Sequence, residues 1–322
     1  MKIRKNLFIH LILLTWIACS SWGFFAHQRI NRMAVFILPG DMIRFYKNNI
    51  LFITDHAVDA DKRRYSDTAE ASRHFIDADR YGKQPFDSMP QKWSDAESKY
   101  SAKILLENGI VPWQIERSYY SLVKAFKEGD SIRILRISAD LGHYVSDAHV
   151  PLHTSENYNG QLSGQTGIHG FWESRLPELF SSEYDFIAGP ARYLENPLKG
   201  AWKIVRNSHS YLDSTLLTEA RLNQTMASDL KYTYSERNGR VERQYSKEYS
   251  GAYHKALKGM VEKQMRASIF MTGSFWYSAW IDAGQPQLKN FFKKEISKDE
   301  RLNSEHTDKL FNQGQIIGRE EN

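Results

Sequence analysis

Two pairs of histidine and carboxylate residues, each pair four residues apart, stand in the middle of the chain. His143 precedes Asp147, and His169 precedes Glu173. At this spacing on a helix both side chains leave the same face, so each pair can hold one ion. Burial of such ionisable groups without a cation is unfavourable by several kcal/mol each. The chain is therefore predicted to fold as helices whose polar faces surround divalent cations.

The residues around these pairs favour burial over exposure. A single pair of this kind is more often a solvated pair on a surface helix. Here the neighbouring residues are apolar, namely Leu141, Val145, Leu152, Phe171 and Trp172. Pro151 should end the first helix and turn the chain, so that His153 faces back towards the pairs.

Segments further upstream can add to the same cluster. Residues 59–61 read Asp-Ala-Asp, residues 74–77 read His-Phe-Ile-Asp, and His27 begins the first helical segment. Ligands made only of imidazole nitrogen and carboxylate oxygen suit zinc, with manganese or iron as permitted substitutes. The sequence thus predicts a zinc cluster built from distant parts of the chain.

The pattern of apolar residues predicts one all-α domain. Hydrophobic residues make up 41% of the chain and charged residues 25%, as in ordinary soluble proteins. Apolar residues recur mainly at helical spacing, and alternating strand patterns are scarce. Helical stretches are predicted at 30–38, 112–126, 134–145, 197–231 and 246–283, with a polar loop at 155–167. We expect a catalytic domain over residues 22–285 and a loosely held polar tail over residues 286–322.

Residues 1–21 have the pattern of a secretory signal peptide. Lys2, Arg4 and Lys5 precede an apolar run that ends at Ala18, and small residues follow up to Ser21. The run is short for a membrane span of about 20 residues, so an uncleaved anchor is the weaker alternative. The prediction is export to the periplasm or the extracellular space, with cleavage before Trp22.

Cleavage at that point would change the charge and the cysteine content. The formal net charge of +5 includes the three cations of this segment and falls to +2 without them. So small a charge does not by itself indicate a nucleic-acid partner. Cys19 is the only cysteine, so a mature chain would contain neither disulfides nor cysteine-bound metals. Lipidation of Cys19 is a weaker alternative, because Trp16 stands where an aliphatic residue is expected.

Five motifs follow one another in the first half of the chain. They are Trp22-Gly23 followed by His27, the pair Ala60-Asp61, the run His74-Phe75-Ile76-Asp77, then His143, Asp147 and His153, and finally His169 and Glu173. In this order they resemble the zinc-dependent phospholipase C and S1/P1 nuclease superfamily over about residues 22–180. The resemblance implies a single, mostly helical domain of the phospholipase C/P1 nuclease type.

The resemblance also implies three zinc ions. Asp61, His74, His143 and Asp147 would hold the first ion. His153, His169 and Glu173 would hold the second. The third would be bound by His27, by Asp147 as a bridge, and by the free amine and carbonyl oxygen of Trp22. Because Trp22 has a free amine only after cleavage behind Ser21, export would complete the metal site.

Some assignments are left open by the sequence. Asp59 is an alternative to Asp61 as a ligand. His149 has no counterpart among the ligands of the family and should either support a ligand from behind or be exposed. Asp77 and Asp79 are expected to support His74. Three arginines, Arg63, Arg64 and Arg73, are candidates for phosphate contacts.

The activity implied by the resemblance is hydrolysis of phosphodiester bonds. Asp61 and Asp147 would act with a metal-bound water, which loses its proton near neutral pH and attacks phosphorus. Glu173 and the short loop that precedes His169 favour phospholipase C-like activity on a phospholipid. The short gap between Trp22 and His27 favours the alternative, an S1/P1-type single-strand nuclease or 3′-nucleotidase acting on nucleic acid or nucleotides. A non-catalytic metal-binding protein is a second alternative. We expect a monomer without a stable protein partner.

Overall fold

The computed structural model describes residues 24–237, 240–291, 298–314, 316, 317 and 319. The chain is mostly helical, with 70% helix and 4% strand, which confirms the predicted all-α class. Trp22 and the predicted signal peptide lie outside the described residues. Among the helices that the structure describes, none combines the length and the apolar character that crossing a membrane requires.

The helices follow one another along almost the whole described chain. In chain order they are α1 (Phe24–Ala34), α2 (Gly40–Asn48), α3 (Ile50–Asp55), α4 (Asp59–Arg63), α5 (Pro85–Ser88), α6 (Trp93–Tyr100), α7 (Ala102–Glu107), α8 (Val111–Glu128), α9 (Ser131–Ala148), α10 (Ile168–Gly170), α11 (Leu176–Phe180), α12 (Pro197–His209), α13 (Leu212–Thr225), α14 (Lys247–Ala256), α15 (Met260–Asp282) and α16 (Lys298–Gln313). A π-helical turn, Phe171–Arg175, joins α10 to α11. Two antiparallel strands, β1 (Tyr232–Arg237) and β2 (Arg240–Tyr245), form a hairpin.

Helices α8 and α9 form the centre of the molecule. Pro112 stands in the first turn of α8, where the missing N–H needs no partner. Gly129 ends that helix in the left-handed conformation, with φ at 67°. Asp130 then caps α9 by accepting a hydrogen bond from the backbone N–H of Arg133. Helices α12 and α15 pack against both, so the face of α9 that carries the predicted ligands is buried.

Close approaches hold α1 and α15 against α9. A Cβ atom on Gly142 of α9 would lie 1.9 Å from Oδ1 of Asn31 on α1. Asn31 itself donates a hydrogen bond to the carbonyl oxygen of Ala139, at 3.0 Å. From α15, the indole of Trp276 donates to the carbonyl oxygen of Ser138, also at 3.0 Å. Helix α1 therefore lies directly on α9.

A second apolar cluster lies around the π-helical turn and the hairpin. The ring of Phe171 stacks on Tyr245 with ring centres 3.8 Å apart and on Tyr253 with ring centres 4.8 Å apart. Ile168 and Leu176, on either side of the turn, are fully buried. This packing fixes the segment that carries His169 and Glu173.

Several local predictions differ from the structure. The stretch predicted as helix at 197–231 breaks between α12 and α13, and the stretch at 246–283 breaks between α14 and α15. The hairpin was not predicted, because its strands are largely polar and leave Tyr234 and Val241 exposed. Part of the segment predicted as a loose tail is the helix α16, while residues 155–167 form turns, as predicted.

Candidate metal centre

Helix α9 supplies the central pair of the site. His143 and Asp147 are both almost completely buried, and Nε2 of His143 lies 3.3 Å from Oδ2 of Asp147. The other ring nitrogen, Nδ1, lies 2.8 Å from the carbonyl oxygen of Ala57. An N–H donated to that carbonyl leaves Nε2 as the free lone pair that faces Asp147.

His74 reaches the same carboxylate from a 3₁₀ turn that ends at Arg73. Its Nδ1 lies 2.9 Å from Oδ2 of Asp147 and 3.1 Å from Nε2 of His143. The backbone after His74 is held tightly, since the N–H of Ile76 donates to the carbonyl oxygen of His153 at 2.9 Å. The ring of His74 therefore contacts the side chains of Asp147 and His143, and the backbone that follows His74 is bonded to the backbone of His153.

Asp61, rather than Asp59, lies at this cluster. The Oδ1 atom of Asp61 is 3.5 Å from Nε2 of His143 and 3.8 Å from Nδ1 of His74. Asp59 instead lies 2.6 Å from Nδ1 of His56, in a pair that is about one-third exposed. Of the two aspartates that the sequence left open, Asp61 is thus the one that lies within reach of the clustered imidazoles, and its role as a ligand stays a prediction.

His27 connects the two halves of the cluster from α1. Its Nε2 lies 3.4 Å from Oδ1 of Asp147 and 3.1 Å from Oε1 of Glu173. Its ring stacks on that of His143, with ring centres 4.1 Å apart. Its Nδ1 is buried and has no hydrogen-bond partner among the described residues.

The second half of the cluster is formed by His153, His169 and Glu173. Oε2 of Glu173 lies 2.8 Å from Nε2 of His169 and 3.4 Å from Nε2 of His153. The Nδ1 atoms of the two histidines face carbonyl oxygens, of His74 at 2.8 Å and of Tyr158 at 3.3 Å. Glu173 lies in a π-helical turn, an irregularity that is frequent at functional sites.

All eight predicted ligands that the structure describes therefore meet in one cluster. Their donor atoms form four groups within which all atoms lie within 4.8 Å of one another: His74, His143 and Asp147; His27, Asp61 and His143; His153, His169 and Glu173; and His27, Asp147 and Glu173. The third group is the set predicted for the second ion. The fourth adds Glu173 to His27 and Asp147, a contact that the sequence did not predict. Trp22, the ninth predicted ligand, lies outside the described residues.

The electrostatics of the cluster follow from imidazoles packed against buried carboxylates. Burial raises the pKa of Asp61, but the imidazoles of His143, His27 and His74 lower it more, to about 2. The pKa of Asp147 is likewise held well below its usual range. Conversely, burial lowers the pKa of His143, but Asp147 and Asp61 raise it well above its usual range. The ionised carboxylates thus draw positive charge, whether protons or metal ions, into the site.

The donor set fits divalent cations. Five imidazoles and three carboxylates offer only nitrogen and oxygen atoms, the ligands that zinc takes in sites without cysteine. Nε2 of His27 also fits, because it lies within 3.4 Å of Oδ1 of Asp147 and within 3.1 Å of Oε1 of Glu173, where a cation would balance both carboxylates. The residues could therefore hold metal ions; the kind and number of ions stay a prediction.

Glu70 was missed by the sequence analysis. It is completely buried, and its Oε1 lies 3.5 Å from Nε2 of His74, the nitrogen that faces away from the cluster. Tyr144 donates a hydrogen bond to Glu70, as do Arg63 at 3.3 Å and Arg73 at 2.5 Å. Its position four residues before His74 was the available signal, in a stretch where no helix was predicted.

The arginines predicted to contact phosphate are engaged elsewhere. Arg63 binds Glu70 and Asp140, and Arg73 binds Glu70 and Asp67. The third of them, Arg64, is buried, with Nη1 4.0 Å from Oδ1 of Asp61. These guanidinium groups therefore neutralise carboxylates behind or beside the cluster.

The remaining polar candidates support the framework. His149 is buried, its Nδ1 lies 2.7 Å from the carbonyl oxygen of Val145, and burial lowers its pKa to about 4. It is thus neutral and lies in none of the four groups. Asp79 accepts hydrogen bonds from Ser155 and from the backbone of Glu156. Asp79 therefore holds the loop after His153 rather than His74, contrary to the prediction.

The chain matches no protein-family model, and no curated protein matches it.

Proposed function

We propose that this protein is a zinc-dependent phosphoesterase that hydrolyses phosphodiester bonds, with phospholipids as its substrate class. The observation that carries the proposal is the convergence of five histidines and three carboxylates from separate parts of the chain into one buried cluster. A buried set of this kind is unfavourable unless cations balance its charge. The order of its motifs, which resembles the phospholipase C/P1 nuclease superfamily, supplies the reaction class.

The zinc ions would be shared among the clustered residues. Asp61, His74, His143 and Asp147 would hold one ion, and His153, His169 and Glu173 another. His27, Asp147 and Trp22 would hold the third, with Glu173 close enough to take part. When bound, such ions lower the pKa of a water and neutralise the charge that develops on phosphoryl oxygens.

The residues of the chain would orient the ions and move the proton. Carbonyl oxygens fix the rings of His143, His153 and His169, so their free nitrogens point into the cluster without rearrangement. The side chain of Asp61 is 15% exposed, whereas that of Asp147 is 2% exposed. Of the two carboxylates, Asp61 is therefore the better placed to accept the proton of the attacking water and release it to solvent.

A single-strand nuclease or 3′-nucleotidase is the second candidate, and one observation favours it. The guanidinium group of Arg319 lies 3.9 Å from the ring centre of Phe75 and 3.5 Å from the ring centre of Tyr158. Phe75 directly follows the predicted ligand His74. A gap of this kind between aromatic rings also suits a nucleobase.

The test compares substrates on one zinc-loaded preparation. Phosphatidylcholine vesicles, single-stranded DNA and a chromogenic phosphodiester are incubated with protein at increasing zinc concentration. We expect zinc-dependent release of diacylglycerol, and release of nucleotides instead would favour the second candidate. Retention of zinc without hydrolysis of any substrate would contradict an enzyme and favour a metal-binding protein.

Variants connect the activity to the cluster. His143→Ala and Asp147→Asn should each lower turnover of every substrate at least about a hundredfold, the scale on which loss of a preorganised electrostatic group acts. As matched controls, a histidine and an aspartate outside the cluster are substituted in the same way. His254→Ala changes a histidine that contacts Tyr184, and Asp185→Asn changes a half-exposed aspartate. Full activity in both cluster variants would disprove the assignment of the site.

A further inference from the structure

One arginine from the end of the described chain lies in the gap between Phe75 and Tyr158. The guanidinium group of Arg319 stacks on both rings. It donates hydrogen bonds to Oδ1 of Asp77 at 2.7 Å and to the carbonyl oxygen of Ser155 at 3.1 Å. Its side chain is only 11% exposed. The guanidinium group of Arg319 thus occupies the gap and is held there by two hydrogen bonds and two ring faces.

The walls of this gap adjoin the predicted ligands. Phe75 follows His74, and Ser155 lies two residues after His153. The carbonyl oxygen of Tyr158 faces Nδ1 of His169 at 3.3 Å. A group that enters the gap therefore lies beside the predicted ligands. A group that already occupies the gap prevents another group from binding there.

The segment that brings Arg319 here is anchored at several points. Phe311, on α16, packs its buried ring against Phe24 and Tyr65, with ring centres 5.6 and 5.1 Å apart. Asp308 pairs with Lys62 at 3.0 Å. Further along, the N–H of Ile317 donates to the carbonyl oxygen of Arg64 at 2.9 Å, and Arg64 donates to the carbonyl oxygen of Arg319.

Most of the described residues of α16 face solvent. The residues from Arg301 to His306 are all exposed. Phe311 is the only buried hydrophobic residue of α16 among those whose burial the structure describes. So small a buried surface suits a segment that docks and releases without unfolding the domain.

We propose that the described residues 298–314, 316, 317 and 319 form a strap that closes the gap between Phe75 and Tyr158, with Arg319 as its plug. The strap selects ligands by shape. A phosphate ester that carries a flat ring at this position must displace Arg319, whereas one without a ring leaves the plug in place. This refines the proposed function by explaining why the intact chain would act on phospholipids in preference to nucleotides, and it rests on that function.

Binding, not turnover, tests the strap. The zinc-loaded full chain and its Arg319→Ala variant are titrated by calorimetry with adenosine 5′-monophosphate and with ribose 5-phosphate, which lacks the base. We expect the variant to bind adenosine 5′-monophosphate about tenfold more tightly, the factor that one charge-assisted hydrogen bond represents. Affinity for ribose 5-phosphate should stay the same.

Two further variants control the experiment. Arg301→Ala removes the same charge from an exposed position on α16 and should change neither affinity. Arg319→Lys keeps the charge but loses the flat, forked group, so it should fall between the intact chain and Arg319→Ala. Equal or weaker binding of adenosine 5′-monophosphate by Arg319→Ala would overturn the strap. Tighter binding without hydrolysis of any substrate would keep the strap and contradict the proposed function.

Discussion

At the scale of single residues, the orientation of each clustered imidazole depends on the group that faces its outer ring nitrogen. Three of the clustered histidines turn one ring nitrogen towards a backbone carbonyl oxygen, which fixes the nitrogen that is free to bind metal. They are His143, His153 and His169. His74 differs, because its outer nitrogen faces the carboxylate of Glu70. A carboxylate behind a histidine makes that histidine a stronger ligand.

Glu70→Gln should weaken zinc binding without removing a ligand. The amide keeps the shape of the side chain but cannot supply the negative charge that supports His74. We expect the affinity for zinc to fall about 10- to 100-fold, the range typical for loss of a group behind a metal ligand. Competition with a chromophoric chelator measures the affinity directly, without depending on turnover.

A second buried glutamate provides the control for this variant. Glu219 is also completely buried, it accepts hydrogen bonds from Lys231, Tyr249 and Gln165, and it belongs to none of the four groups of the cluster. Glu219→Gln should cost similar stability and leave zinc affinity unchanged. If both variants bound zinc as tightly as the intact chain, Glu70 would serve the fold alone.

At the scale of elements, local signals explain which predictions succeed. The boundary between α8 and α9 could be predicted because Gly129 and Asp130 carry end and start signals within a few residues of an apolar stripe. The hairpin could not, because its strands face solvent and show little apolar alternation. The break between α14 and α15 falls at Lys258 and Gly259, both with positive φ, inside a stretch whose apolar pattern continues. The spacing of apolar residues alone does not reveal such a break.

Gly142→Ala should separate the two helices that carry His27 and His143. The added methyl group would meet Oδ1 of Asn31, which is completely buried and holds α1 to Ala139. We expect the free energy of unfolding to fall by about 1–3 kcal/mol, the usual cost of overpacking. Urea denaturation with an unchanged m-value measures this loss.

Gly251, on α14, offers the matched control. A Cβ atom there would lie 4.0 Å from its nearest neighbour, the ring of Phe180, so the methyl group fits without displacement. Gly251→Ala should raise stability by about 0.5–1 kcal/mol through helix propensity. Equal effects of the two substitutions would show that α1 and α9 do not depend on the close approach.

At the scale of the whole molecule, the site depends on contacts between residues far apart in sequence. Residue spacing identified the two histidine–carboxylate pairs, because each pair needs only one turn of helix to bring it together, and the family resemblance supplied the other ligand candidates. It did not show that Glu173 reaches His27 or that Glu70 lies behind His74, since both contacts depend on how α1, α9 and the connecting loops pack. It also placed Arg319 in a loose tail, whereas the structure places Arg319 beside the cluster.

Removal of metal should therefore loosen the molecule as a unit. The cluster joins α1, α4, α9 and the turns around His74, His153 and His169, so ions bound there would tie together segments that are far apart in the sequence. A ligand present at 100 times its dissociation constant stabilises the folded state by about 2.7 kcal/mol per site. Treatment with dipicolinate should thus lower the melting temperature by several degrees, and added zinc, but not magnesium, should restore it.

Calorimetric melts of the intact chain and of His143→Ala make the comparison, because the variant should show a much smaller response to chelator. Identical melting temperatures of the intact chain with and without chelator would mean that the cluster holds no structural metal.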